Sequence, residues 1–170
     1  MKRSPADIRY LSSDPEEIST IAGWIYHEWG HLVEGRTLET AHEKVRQSLG
    51  PQDLPLTLVY YLDGKAVGTA GIDTEDMSTH PELSPWMVSV FVEPGHRQQG
   101  IGTALCERIQ EEFIRLGVKT AYLFTPDQEN LYSRLGWKAL AKEEYRGEMV
   151  TIMRLDRKFM ALPVLWSRGL

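Results

Sequence analysis

The stretch from Val90 to Leu105 is the part of this chain best equipped for chemistry. Apolar Val90, Phe91 and Val92 end a strand-like run. Glu93-Pro94-Gly95-His96-Arg97-Gln98-Gln99 then leads into Gly100-Ile101-Gly102-Thr103, where a helical apolar pattern begins. The first four N–H groups of a helix have no internal partner, and the helix dipole makes that end attractive to anions. Glycines let the backbone approach a diphosphate with no Cβ in the way. Backbone amides from Gln98 to Thr103 can therefore hold a pyrophosphate. Two familiar phosphate loops do not fit. A P-loop requires Gly-Lys-Ser/Thr, and Gly102-Thr103 lacks the lysine. A dinucleotide fingerprint requires a small residue three after Gly102, where Leu105 stands, and its glycines sit at the strand end rather than well beyond it. A glycine-relaxed loop with no ligand fits the spacing as well.

A second constellation is His27-Glu28-Trp29-Gly30-His31, which matches the His-Glu-x-x-His pattern of zinc proteases. On a helix, both imidazoles would share a face with the glutamate as base. Gly30 weakens a helix at that point, and the apolar stripe ends at Trp29. His42 is the only other histidine close in sequence, and Glu34 is too near to act as a distant third ligand. A zinc metallohydrolase stays as an alternative that leaves the 97–102 turn unexplained, and the expectation is no metal.

The elements around these residues can be read from period and punctuation. Ile8 to Leu11 reads as a short strand. Asp14-Pro15-Glu16-Glu17 is a helix start, with Asp14 able to cap. Ile18, Ile21, Ala22, Ile25 and Trp29 then make one apolar face. A second helix is predicted over Thr37 to Leu49, with Leu38, Ala41, Val45 and Leu49 inward, stopped by Gly50-Pro51. Leu56 to Leu62 and Ala66 to Ile72 read as a hairpin around Asp63-Gly64, and 73–85 as a polar loop. Trp86 to Val92 lacks alternation, which predicts a central strand buried on both faces. Ile101, Ala104, Leu105, Ile109, Phe113 and Leu116 form a strong helical stripe ended by Gly117. Lys119 to Thr125 is a further strand, Asn130 to Leu135 a short helix, and Trp137 to Tyr145 with Met149 to Leu155 a last hairpin. Hairpins mixed with crossovers predict an α+β fold around a mixed central β-sheet flanked by helices. The tail from Arg157 to Leu170 is apolar enough to pack on the sheet or on a second subunit of a homodimer.

The bulk numbers bound the options. A chain of 170 residues suits one domain over 1–170. A net charge of -5 gives little attraction to phosphate backbones, so nucleic acid is not expected as a partner. One cysteine, Cys106, excludes a disulfide framework. No apolar run approaches the roughly 20 residues that span a bilayer, and the start is no signal peptide, so the expectation is a cytoplasmic protein with no membrane partner.

Arg97-Gln98-Gln99-Gly100-Ile101-Gly102 resembles the signature of the GNAT N-acetyltransferases, Arg/Gln-x-x-Gly-x-Gly/Ala between a strand and a helix. Asn130-Leu131-Tyr132-Ser133-Arg134-Leu135-Gly136-Trp137 is similar to that family's Tyr-x-x-x-Gly-Phe/Trp segment. By motif and strand order the resemblance covers Leu56 to Leu155, and the first two helices agree in position only. It implies an acyl-CoA N-acyltransferase fold and acetyl-CoA as cosubstrate. The 98–103 turn would bind the pyrophosphate. The backbone of Val90, Phe91 and Val92 would pair with the pantetheine arm as an added strand does, in a gap where this strand splays from Lys119 to Thr125. Tyr132 would protonate the departing thiolate, which suits a phenol of pKa about 10. Many members carry an asparagine seven residues before the tyrosine; this chain has Thr125 there, and that contact is left unassigned.

The implied reaction is direct transfer of acetyl to a primary amine of a small molecule or peptide in a ternary complex. A non-catalytic acyl-CoA-binding module is the other reading of the same motifs. A protonated amine cannot attack a thioester, so a base is needed. Glu82 is the first candidate, with Asp73 and Glu75 as others; each also reads as a solvated loop acid. Ser89 could line the site or be buried. The family's acceptor groove is walled by the loop between the first two helices, here with Glu28, Trp29, His31 and Glu34. Glu28 could hold a cation and Trp29 could offer an apolar or cation–π wall, or simply close the core.

Overall fold

The computed structural model describes residues 6–48 and 50–160. Leu49, expected to face inward, and the tail beyond residue 160, expected to pack on the sheet or on a second subunit, lie outside the described residues. The element order is β1 (Asp7–Tyr10), α1 (Ile18–Trp29), α2 (Leu38–Gln47), β2 (Leu56–Leu62), β3 (Lys65–Asp73), β4 (Trp86–Val92), α3 (Ile101–Arg115), β5 (Thr120–Thr125), α4 (Glu129–Arg134), β6 (Lys138–Tyr145) and β7 (Glu148–Asp156). The strands form one sheet in the order β1-β2-β3-β4-β5-β7-β6. Every neighbouring pair is antiparallel except β4 and β5. This is the mixed α+β architecture that the alternation of hairpins and helical stripes predicts.

Alternation along β2 divides the core. Leu56 and Leu58 join Leu105, Ile109 and Phe113 of α3 in one buried cluster. Val59 and Tyr61 join Ile18, Ile21, Ala22 and Val45 of α1 and α2 in another. Successive strand residues point to opposite faces, so this half of the sheet is covered on both sides. Leu105, Ile109 and Phe113 are fully buried. Each contributes about 1.5–3 kcal/mol on removal from water, which fixes α3 to the sheet. The contact is close where β3 carries Gly68: a Cβ there would stand 3.1 Å from Phe91 O, 3.2 Å from Leu105 Cδ1 and 3.3 Å from Ile101 Cγ2. The start of α3 is thereby seated directly on the β3–β4 pair.

Three local expectations need correction. Asp14 makes no cap hydrogen bond; residues 15–17 form a short 3-10 turn, and the Asp14 carboxylate instead accepts from the Tyr61 hydroxyl at 3.1 Å. Leu38 does not face inward but is 50% exposed, because it is the first residue of α2, one turn ahead of buried Ala41 and two ahead of buried Val45. Thr37 caps that helix reciprocally: Thr40 N–H donates to Thr37 Oγ1 at 3.1 Å and Thr37 N–H to Thr40 Oγ1 at 2.9 Å. Finally, β4 is not buried along its length. Only Trp86 and Met87 are buried, and Val88 to Val92 are half-buried, because β5 leaves them.

The tail begins by packing on this core: Met160 is buried, and Gln110 Nε2 donates to its carbonyl at 3.0 Å. No helix among the described residues is long and apolar enough to cross a membrane.

Candidate functional site

Strands β4 and β5 pair at one register position, Trp86 with Tyr122, where Tyr122 N–H also donates to Pro85 O at 2.9 Å. Past that point they diverge. A bulge adds to the divergence. Thr69 pairs with Phe91 and Gly71 with Val88, so Ser89 and Val90 together face Ala70. Ser89 takes φ +55°, uncommon for a residue with a Cβ. A bulge leaves its extra residue outside the ladder and re-aims the backbone. The result is a cleft of about 990 Å³ that opens along β4.

One end of the cleft is the turn into α3. Gly100 caps the helix at φ +80°, and Gln98 at φ +62° precedes it. The helical ladder begins with Ala104 N–H donating to Gly100 O at 3.0 Å. The amides of Ile101, Gly102 and Thr103 therefore have no carbonyl within the helix to bond. Amides displayed around left-handed residues form a concave anion cradle. The residues Gln98, Gly100, Ile101, Gly102 and Thr103 line the cleft here, and Gln99 does not. Arg97 lines it too, but its Nε donates to Val92 O at 2.8 Å and its guanidinium lies 5.5 Å from the Phe91 ring centre. Its side chain braces the turn.

Val90, Phe91 and Val92 form the wall between the bulge and the turn. Phe91 is held by two tryptophans of α1, Trp24 at 5.3 Å and Trp29 at 6.3 Å between ring centres. Trp29 thus lines the cleft and also packs on β4, combining both sequence readings; Trp24 carries no sequence signal of its own. Glu28 is exposed at the rim.

Tyr132, on α4, enters from the opposite side and is 7% exposed. Burial pushes its phenol well above the ordinary value, with Cys106 and Asp127 adding to the shift. Such a group stays protonated across the neutral range. Thr125 lines the cleft, but its Oγ1 already accepts from Gln128 N–H at 2.9 Å and Asp127 N–H at 3.3 Å. Its hydroxyl oxygen organises the start of α4.

The acids fall differently from expectation. Glu82 stands outside the cleft lining, with its side chain 63% exposed and paired with His80 Nδ1 at 3.0 Å. Glu75 is exposed and also outside. Asp73 does line the cleft, and its Oδ1 accepts from Thr74 N–H at 2.7 Å. Asp76 lines it as well and carries no sequence signal, because it sits in a polar stretch that reads as ordinary loop. Lys44 and Arg146 share that end of the wall and likewise carry no sequence signal.

The histidine pair of the zinc alternative is not on one helical face. The α1 helix ends at Trp29, and 30–32 form a 3-10 turn. The Tyr26 ring packs on Gly30, where a Cβ would lie 2.9 Å from Tyr26 Cδ2. His27 is exposed outside the cleft while His31 lines it. Among the described residues no three His, Cys, Asp or Glu side chains are grouped to hold a metal.

Comparison with known proteins agrees with this fold. The model of an acetyltransferase (GNAT) domain matches residues 54–139. An aminoglycoside 6'-N-acetyltransferase complexed with coenzyme A superposes with a TM-score of 0.69 at 15% identity, covering 92% of this chain and 99% of that one. A Salmonella typhimurium protein described as an acetyltransferase, solved with its cofactor acetyl-CoA, gives 0.68 at 20% identity, covering 91% and 95%. A spermidine N-acetyltransferase chimera from Vibrio cholerae and hSSAT gives 0.69 at 15%, covering 92% and 98%. At these identities the superpositions speak for the fold.

Proposed function

The chain belongs to the GNAT acetyltransferase family and is an acetyl-CoA-dependent N-acetyltransferase; from that premise we propose that it moves acetyl directly onto the primary amine of a small cationic molecule within a ternary complex. The observation that carries this reading is a single cleft. It joins the amide cradle at the start of α3, the unzipped edge of β4 and the Tyr132 side chain.

Each part has a task. The amides of Gln98 and of Gly100 to Thr103 hold the pyrophosphate by charge and hydrogen bonding at the helix end. The free edge of β4 at Val90 to Val92 pairs with the pantetheine amides as an added strand would. The bulge at Ser89 and Val90 supports a further role, an unladdered amide facing the thioester carbonyl as its oxygen gains charge. Tyr132 donates its proton to sulfur as the C–S bond breaks; its raised pKa keeps that proton available at neutral pH.

The acceptor reading rests on the other end of the wall. Asp73 and Asp76 offer carboxylates there, tempered by Lys44 and Arg146, and Glu28 adds one at the rim beside Trp29. Two structures sharing the fold are named for aminoglycoside and spermidine acetylation, and both of those acceptors are cationic amines.

The test is thiol release from acetyl-CoA with a panel of spermidine, kanamycin, butylamine and a peptide with a free N-terminus. Release above background with at least one amine is expected. No release together with no acetyl-CoA binding by calorimetry would refute the assignment. Binding without turnover would instead favour a non-catalytic acyl-CoA-binding module.

A further inference from the structure

Resting on the acetyl-transfer reading above, we propose that Asp76 is the group that takes the proton from the acceptor's ammonium. Between β3 and β4 the chain runs through twelve residues, 74–85, that contain little apolar sequence. This segment is nonetheless pinned at several points. Met77 is 2% exposed and packs with Trp86, Tyr145, Val150 and Ile152. Ser78 N–H donates to the Tyr145 hydroxyl at 3.3 Å. His80 bridges Glu82 at 3.0 Å and Glu143 of β6 at 2.8 Å. Asp76 immediately precedes the buried methionine, so its backbone is held, and the residue lines the active cleft.

Register places the acidic end of the cleft relative to the reacting centre through Asp73, and Asp76, three residues farther along in the 74–85 segment, lines the same cleft. Gly71 pairs with Val88, next to the bulge, and Asp73 pairs with Trp86. Two strand residues advance about 7 Å. The acids therefore begin one short step past the level of the bulge, on the side away from the pyrophosphate turn. That is where an amine must stand to reach a thioester laid along β4.

The surroundings suit the task. The charged groups facing Asp76 are Lys44 from α2, Asp73 at the end of β3 and Arg146 from the β6–β7 turn. Asp76 is half-buried, and the desolvation of its carboxyl raises it to about 7, against the pull of Lys44 and Arg146 and with the push of Asp73. A base works best when its pKa lies near the operating pH. An ordinary carboxylate near 4 would be a poor acceptor for an ammonium proton.

The protons balance. The ammonium N–H bond breaks toward Asp76, directly or along one water, and the freed lone pair forms the C–N bond. The C–S pair leaves with sulfur and takes the Tyr132 proton. The nitrogen sheds its second proton to restore Tyr132. Asp76 returns its proton to solvent, a net release of one.

The experiment measures kcat between pH 5.5 and 9.5 with the amine panel above, for wild type, Asp76→Asn, Asp76→Glu and Asp73→Asn. Acetyl-CoA affinity and melting temperature are read for each. Wild-type kcat should rise through an inflection near 7. Asp76→Asn should lower kcat at pH 7 by about 100-fold or more and erase the inflection. It should recover as pH approaches the amine's own pKa, with acetyl-CoA affinity unchanged. Asp76→Glu should restore part of the rate, and it carries the test if the amide variant does not fold. Asp73→Asn should raise the acceptor KM more than it lowers kcat. An Asp76→Asn enzyme that keeps the inflection, or keeps kcat within threefold, overturns the proposal and leaves acetyl transfer standing. Normal acetyl-CoA binding with no amine acetylated by wild type sinks both readings together.

Discussion

The two ends of the cleft are built from different materials. The α3 end is made of main-chain amides, held by a helix whose Leu105, Ile109 and Phe113 are fully buried. The β3 end is made of side chains: Asp73 from β3, Asp76 from the segment after it, Lys44 from α2 and Arg146 from the β6–β7 turn. A backbone site is indifferent to most substitutions so long as the helix stays seated and its glycines remain. A side-chain site can be rewritten one residue at a time without disturbing the core. The contrast gives a physical reason why one fold serves many acceptors while keeping one acyl carrier.

The sharpest way to break that contrast is to put a side chain where the backbone must be bare. Gly102→Glu places a carboxylate at the pyrophosphate, yet a Cβ at this position meets only Val92 Cγ2, at 3.8 Å. Acetyl-CoA affinity should fall at least 100-fold by calorimetry while the melting temperature stays close to wild type. Gly100→Glu should lose affinity as fully and also lose stability. Its φ of +80° costs a residue with a Cβ about 1–2 kcal/mol. Unchanged affinity in both variants would remove the phosphate site. Next in size is Tyr132→Phe. It should lower kcat by about 100-fold with acetyl-CoA affinity within a few-fold, because only the proton donor is lost. An equal loss in affinity and kcat would make Tyr132 a packing residue.

The same contrast explains what could be read from sequence. Strands β2 and β4 occupy the residues that their apolar runs predict, and the turn was legible because glycines at a helix start have a mechanism. The acceptor end was not legible. Asp76 looks like any loop acid, and one methionine among polar residues gives no period from which burial could be inferred. Lys44 and Arg146 lie about a hundred residues apart in sequence, and only the sheet order brings them to one wall. The bulge was hidden too, because Ser89 at positive φ carries none of the glycine or asparagine signal that marks such a backbone.

If the backbone end depends on α3 staying seated, a residue far from the cleft should matter to it. Glu112 on α3 is 1% exposed and accepts from the Tyr10 hydroxyl at 2.6 Å, from Arg108, and from Arg115 Nε at 2.7 Å. Burial alone would raise its carboxyl, but these three donors outweigh it and hold the pKa below the usual glutamate range. A depressed pKa contributes stability above the unfolded value, about 4.3, and that contribution is lost as pH falls through the folded value. Glu112→Gln should therefore cost about 1–3 kcal/mol at pH 7 and shift the melting temperature by several degrees. The gap between variant and wild type should close toward pH 3. A gap that persists unchanged at pH 3 would show that charge is not what Glu112 supplies.

The smallest expected effect lies at the other end. His80 ties the 74–85 segment to β6 through Glu143, with Glu82 as its second partner. Hydrogen bonding to Glu82 and then Glu143 raises its pKa above the ordinary 6.5. A raised pKa gives a tie that is complete below 6.5 and fades as pH climbs through the folded value. The segment should loosen on the alkaline side, seen as faster hydrogen exchange at the Ser78 and His80 amides after correction for intrinsic rates. Their bonds to Tyr145 and to Met77 O report on it. His80→Gln should remove this pH dependence while leaving acetyl-CoA affinity untouched, because the α3 cradle shares none of these contacts. Glu82→Gln should reproduce part of the loosening and keep kcat within about twofold, because its exposed side chain lies outside the cleft. A large kcat loss in Glu82→Gln with normal segment protection would return the base assignment to Glu82 and take it from Asp76.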